Sequence, residues 1–474
     1  MKNKSLVAAA VAAVCLGGVA HATNWFQLQG TEPSGVAAPV HVFGFIQPTY
    51  EDAGGSAVNG LVGAGAPFNG AIPKFNEVAP QDTSASSFNM LRARIAVRGT
   101  VTPISNQIDY FIMAEFGNNG YTNNGNGSTP RLTDASVTFN QIPGARVRVG
   151  LFKTPGPEEV LQGIPDFDYI NFTNVSQQLI LNQFVGSAPA VAEAGTPPGS
   201  AYSVQAAPIT AGRDQGIQVF DWFNSGPWQF AYAAMIGNGA PLYANATTNS
   251  SDYYGRLQES YIFNHSKGPH QAGITAWVWE HLGHQTLNVS AAGGGFTQQS
   301  YTYRRDGLGA QYRSGFMTPG AVRVTGELMR GSGWILSGAP FSGPTNGTAC
   351  TPGNPLCTET LYPGANNQAA GGYIETGVFV TKHWDLEARY DQYNRLTNNP
   401  GAERIFKTTT LGVQYYISPL ARVTLNYAFN RIDIPNRSAI TGPTAAATAA
   451  AQNNASAIAG SRDNVISLQT TLIF

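Results

Sequence analysis

Arginine recurs at every second position in several short stretches of this chain, always opposite apolar residues. In 91–98 the side chains of Arg92, Arg94 and Arg98 fall on one side of an extended segment, and Leu91, Ala93, Ile95 and Val97 on the other. Arg146 and Arg148 repeat the spacing, and Arg313, Arg323, Arg389 and Arg422 occupy the polar side of similar stretches. Guanidinium groups stay charged at any pH the chain would meet, and rings of them around a wet path select anions. The same polar side also carries Asp109, Glu115, Asp134, Glu327, Glu387 and Asp391. Two readings therefore stand together: an arginine-lined lumen that attracts anions, or arginines paired with carboxylates to fill a wet interior. Between Lys153 and Arg213 there is no Lys or Arg, while Glu158, Glu159, Asp166, Asp168 and Glu193 all lie there. Such a segment offers negative charge to any basic wall it faces.

Other chemistry is thinly represented. His281 and His284 form an H-x-x-H, but on a strand that spacing puts them on opposite faces, and no H-E-x-x-H occurs. There is no phosphate-cradling glycine loop and no nucleophile elbow. No catalytic residue, cofactor or metal is therefore expected. A formal charge of −1 argues against a nucleic-acid partner.

The elements that must position the arginines are strands. Period-two alternation recurs from end to end, again in 321–329, 386–391 and 421–427. Charged residues make up only 12% of the 474 residues, against about 25% in ordinary soluble domains. No stretch after residue 22 is an apolar helix long enough to span a bilayer. Sixteen strands are expected, among them stretches near 270–282 and 300–313. Connections after even-numbered strands are short, and most of those after odd-numbered strands are long, including 51–86, 154–211, 332–369 and 432–461. That layout predicts an all-β fold, a transmembrane antiparallel β-barrel with long loops on one side. A sheet crosses lipid only when closed, because every backbone polar group there needs a protein partner. Trp222, Trp228, Phe230, Tyr415, Tyr427 and Phe429 are expected in interfacial girdles. The Ala/Thr/Asn-rich stretch 439–461 has the composition of a flexible loop.

The beginning of the chain reads as an export signal over 1–22: Lys2 and Lys4, an apolar run, then Ala20-His21-Ala22. Residues 23–39 are then a short periplasmic segment, and 40–474 the barrel. Cys15 falls in the signal. In an exported chain Cys350 and Cys357 are expected to close a small loop disulfide, two free thiols being the other reading.

The last strand, 465–474, alternates and ends on Phe474, which resembles the assembly signal of bacterial outer-membrane proteins. Further stretches resemble the porin family named for phosphate-selective porins O and P. They are Leu91-Arg92-Ala93-Arg94 with Gly99, Leu132-Thr133-Asp134-Ala135, and Arg148-Val149-Gly150-Leu151-Phe152-Lys153-Thr154-Pro155. Gly212-Arg213-Asp214-Gln215-Gly216, Ile236-Gly237-Asn238-Gly239, Leu386-Glu387-Ala388-Arg389-Tyr390 and Leu411-Gly412-Val413-Gln414-Tyr415-Tyr416 continue in the same order. The resemblance implies a homotrimeric porin of sixteen strands with its third loop folded into the pore.

Given those strand directions, Arg98, Arg146, Arg148, Arg313, Arg323 and Arg422 lie toward the periplasmic half. The acids of 158–168 would face them as the constriction loop. The expected function is a water-filled outer-membrane channel for small hydrophilic solutes and ions, with weak anion preference. Its other partners would be outer-membrane lipids and the barrel-assembly machinery. A phosphate- or polyanion-selective porin is the alternative. Only five lysines follow residue 22, against twenty arginines, so a lysine cluster for phosphate is not evident. An outer-membrane barrel enzyme or adhesin is the alternative of another class.

Overall fold

The computed structural model describes residues 25–29, 39–63, 69–70, 86–119, 122, 130–181, 189–192, 201–205, 212–239, 242, 251–264, 266, 268–290, 294–337, 358–459 and 461–474. The signal segment 1–22, Glu193, Cys350 and Cys357 lie outside the described residues.

Residues that alternate apolar and polar bury one face of a strand and expose the other, and here they form a closed sheet. Its sixteen strands are β1 His41–Ala53, β2 Ser86–Val101, β3 Ser105–Glu115, β4 Arg131–Phe139, β5 Arg146–Lys153, β6 Arg213–Ser225, β7 Trp228–Gly237 and β8 Asp252–Ile262, followed by β9 Gly273–Ser290, β10 Phe296–Arg313, β11 Val322–Ser332, β12 Gln368–Phe379, β13 Trp384–Arg395, β14 Arg404–Ser418, β15 Ala421–Asp433 and β16 Arg462–Ile473. Each pairs antiparallel with the next, including β5 with β6 (Arg146 opposite Phe220) and β11 with β12 (Val322 opposite Val378). The sheet closes where β1 meets β16, with Phe45 opposite Ile473 and Tyr50 opposite Leu468. Three helices complete the elements used below: α1 Trp25–Leu28, α2 Glu158–Leu161 and α3 Ala445–Ile458.

The closure depends on a glycine. Gly44 and Phe474 exchange both backbone hydrogen bonds, at 2.8 and 3.0 Å. A Cβ on Gly44 would lie 2.4 Å from the Arg94 carbonyl oxygen and 2.7 Å from the Phe474 ring. Only a residue without a side chain lets the last residue approach so closely.

The outer face is apolar: Ile95, Leu257, Val278, Leu308, Leu328 and Leu411 are each 46–63% exposed. Trp228, Phe230, Tyr415 and Phe429 are also exposed on it. Trp222 departs from its expected place in a girdle. It shares the inner parity with Phe220, opposes Ala231, and packs against the buried Phe220–Ala231–Ala233 cluster.

The alternation of turns and loops is as the sequence suggested, with two differences. β9 and β10 run on to Ser290 and back to Phe296 as one long hairpin, beyond the ends expected at 282 and 300. Its added residues bury Leu287 and Val289 on one side and, apart from the exposed Phe296, are polar on the open side. Four short strands pack beside this extension: Pro189–Ala192, Tyr202–Gln205, Ile335–Ser337 and Thr358–Tyr362. Tyr202, Leu287, Trp334 and Leu361 form their common core. The second difference is α3, which forms where a flexible loop was expected. Alanine has the highest helix propensity, and Thr444 caps the helix by accepting the Ala447 N–H at 3.1 Å. Asn454 of α3 then bonds both the N–H and the carbonyl of Val62, at 3.0 and 2.8 Å.

Candidate functional site

After Lys153 the chain leaves the wall and folds inward rather than continuing up. The Thr154 N–H donates to the Gly212 carbonyl at 3.0 Å, joining the two ends of this loop. Lys153 Nζ holds the first turn by donating to the carbonyls of Leu161 and Gln162, at 3.3 and 2.6 Å. α2, a 3-10 turn at Ile164–Asp166 and a π turn at Ser176–Leu181 follow, nearly all buried within the barrel. The loop packs through Val160, Ile164, Phe167, Phe172, Val175 and Leu179. The wall makes room with a glycine: a Cβ on Gly371 would lie 2.8 Å from Val175.

Polar side chains of the wall bind the loop at successive points round the barrel. Arg256 of β8 donates to the Gly156 carbonyl at 2.7 Å and pairs with Glu158 at 2.5 Å. Glu159 accepts from Thr173 and lies 3.4 Å from Arg389 of β13, which also donates to the Asn171 carbonyl at 2.8 Å. Arg323 of β11 meets Asp168 at 2.7 Å, Asp385 at 2.5 Å, and Glu387. Arg422 of β15 donates to the Phe167 carbonyl. Asn171 donates to Glu51 of β1 at 2.9 Å, and Arg305 of β10 donates to the Leu179 carbonyl at 3.2 Å. The loop therefore touches strands from β1 to β15 and crosses the lumen. Buried polar groups tolerate that position only because each contact exchanges water for a charged or amide partner.

The remaining arginines read from the sequence are also engaged. Arg94 pairs with Glu115 at 2.6 Å and Arg92 donates to Gln47 at 3.0 Å. Arg98, half-buried, lies 5.1 Å from the Phe43 ring centroid. Arg146 pairs with Asp221 at 3.1 Å and lies 4.1 Å over the Trp222 ring. Arg148 is fully buried and stacks 4.6 Å over Phe220. Arg313 donates to His270 Nδ1 at 2.7 Å, so the ring hydrogen sits on Nε2, 3.5 Å from Asp166.

The loop carboxylates differ in acidity. Burial pushes the Asp166 carboxyl up to about 6, against the pull of Arg422 and Arg313. Burial also raises Glu159, against the opposing field of Arg389. Asp168 is buried too, but Arg323, Arg313 and Arg422 outweigh that cost and hold it below the usual carboxylate range. His270 is driven well below the usual imidazole value by burial and then by Arg313, so it is neutral.

Two wall residues at the centre of this arrangement, Arg256 and Arg305, were not singled out from the sequence. Arg256, Arg305 and Arg213 are buried, the last 3.0 Å from Asp134. Parity was the available signal. Arg256 shares a face with buried Gln258 and Ser260, whereas Arg304, beside Arg305, points outward. His281 and His284 do fall on opposite faces, and His281 bonds Asp252 at 2.8 Å. Residues 25–29 pack against the inner wall of the barrel: Phe26 lies against Phe220, Leu161 and Ala233.

No protein-family model matches the chain, and no curated protein matches it in sequence. Solved structures similar to it include an anion-selective porin from Comamonas acidovorans, 13% identical, covering 92% of this chain and 100% of that one, with a TM-score of 0.49. OmpF of Salmonella typhi in complex with daunomycin is 11% identical, covering 92% and 97%, with a TM-score of 0.48. A loop-deletion mutant of OmpT from Vibrio cholerae is 10% identical, covering 92% and 99%, with a TM-score of 0.46.

Proposed function

We propose that this chain is an outer-membrane porin, a passive channel for small hydrophilic solutes and ions. The observation that carries this reading is the opposition of its two faces. The outer face presents rows of half-exposed aliphatic side chains, and the inner face presents arginines and carboxylates around an inward-folded loop. An apolar exterior over a closed sheet suits lipid, and a polar interior suits water. In this reading 1–22 is a cleaved export signal, 40–474 is the channel domain, and three copies assemble. Arg92, Arg94, Arg98, Arg146, Arg148, Arg313, Arg323, Arg389 and Arg422 belong to the lumen wall. Glu158, Glu159, Asp166 and Asp168 belong to the constriction. Because wall cations and loop acids are interleaved, solutes are sieved mainly by size, with weak anion preference. Selection of phosphate would call for a basic cluster on the loop, and the described part of 154–212 carries no Lys or Arg. Liposome swelling tests the reading. Sugars of increasing size should enter at graded, falling rates, and absence of swelling with the smallest would contradict it.

A further inference from the structure

We propose that residues 25–29 are an internal ligand of the lumen: an indole-and-phenyl segment seated in a recess of the inner wall, acting as a displaceable plug. The inference rests on reading the lumen as a conducting path. The recess is built from three barrel strands and the inward loop. Phe220 of β6, Ala231 and Ala233 of β7 and Leu161 of α2 form its floor. The two alanines leave space on a face whose neighbours in β7, Gln229 and Met235, carry long side chains. Phe26 fills that space at 1% exposure, its ring centroid 6.0 Å from that of Phe220. Trp25 lies beside it, 5% exposed.

The polar rim of the recess is matched to the segment atom by atom. Arg148 donates from one terminal nitrogen to the Phe26 carbonyl at 2.9 Å and from the other to Gln29 Oε1 at 3.2 Å. Gln29 Nε2 donates to the Leu161 carbonyl at 3.2 Å. Trp25 Nε1 donates to Glu158 Oε1 at 2.5 Å, and the other oxygen of Glu158 receives Arg256. The indole therefore bonds to the same carboxylate that fixes the first turn of the pinned loop.

The segment is displaceable because it belongs to no strand ladder. Its hold is aromatic burial and side-chain hydrogen bonds, so it can leave without opening the barrel. While seated, it takes up cross-section on the short-turn side of the loop and covers Arg148, removing that cation from the ion path. Leaving would widen the lumen and uncover Arg148 together.

Two measurements on the full-length, refolded protein test this. In planar bilayers the Trp25→Ala/Phe26→Ala double variant should show a higher main conductance and loss of brief closures. Wild-type conductance and gating in that variant would overturn the plug. Separately, a Phe26→Cys variant made in a Cys15→Ser/Cys350→Ser/Cys357→Ser background should resist a bulky, impermeant maleimide while folded and react fully in urea. Equal labelling in both states would overturn the seat even if the double variant failed to fold. Absence of conductance in wild type and double variant alike, with the thiol protected, would refute the channel reading while leaving the seat established.

Discussion

Asp168 on the inward loop lies 2.7 Å from Arg323 on β11, and the same guanidinium is 2.5 Å from Asp385 and also pairs with Glu387. One wall cation thus serves one loop carboxylate and two wall carboxylates. Its loss should cost more than the loss of any one acid. Replacing Arg323 by Gln leaves three buried carboxylates without their shared cation, a disruption of about 3–5 kcal/mol. Replacing Asp168 by Asn leaves Arg323 with two partners and should cost clearly less. Urea unfolding of the refolded barrels, read by heat-modifiable mobility, orders the two; the reverse order would contradict this assignment.

Asp166 gives the lumen a pH dependence. Its carboxyl is pushed up to about 6, chiefly by burial and against the pull of Arg422 and Arg313, while the neighbouring His270 stays neutral. As pH falls through that value the loop loses one negative charge. Reversal potential in a salt gradient should therefore move toward anions between about pH 7 and about pH 5. For stability the sign is set by the raised value: the contribution is present below the unfolded carboxyl pKa and is lost as pH rises through about 6. The Asp166→Asn variant should lack the reversal-potential step, and its persistence there would assign the titration elsewhere.

Gly44 and Phe474 close the barrel, so both should govern assembly. Replacing Phe474 by a polar residue, or Gly44 by Val, should lower the fraction of folded, heat-modifiable protein in the outer membrane. The valine has to displace the Phe474 ring or the Arg94 carbonyl. Wild-type levels in either variant would count against the closure described here.

Arg146 and Arg148 stand beside each other on the inner face of β5, opposite β6. Replacing both by Gln removes the Arg146 cation from the lumen, takes from residues 25–29 the hydrogen bonds of Arg148, and leaves Asp221 without its Arg146 partner. The reversal potential should move toward cations. An unchanged value would mean that neither contributes to ion preference.

Much of the barrel was legible because a half-buried strand imposes a period of two. The parity that put Arg92 and Arg94 inside also predicts Trp222 inside, and its aromatic character alone had suggested a girdle. The hairpin above Leu282 was harder to read. Once a strand rises past the apolar band, its outer face meets water, and a run such as 283–290 looks like loop. α3 had a signal in its alanine run and in Thr444. The path of the inward loop had none. It is fixed by bonds from Arg256, Arg323, Arg389 and Arg422 to carbonyls and acids far away in sequence, which no local pattern encodes. α1 is four residues long, too short for any periodicity.

The central claim is that a closed barrel with a polar lumen conducts small ions with little discrimination. Single-channel recording in planar bilayers, with anion and cation replaced in turn, tests it most directly. We expect stable ohmic steps and a reversal potential displaced weakly toward anions, with chloride current unaffected by phosphate at about micromolar concentration. Absence of conductance would contradict the claim, and block by phosphate at that concentration would replace it with a polyanion-selective pore.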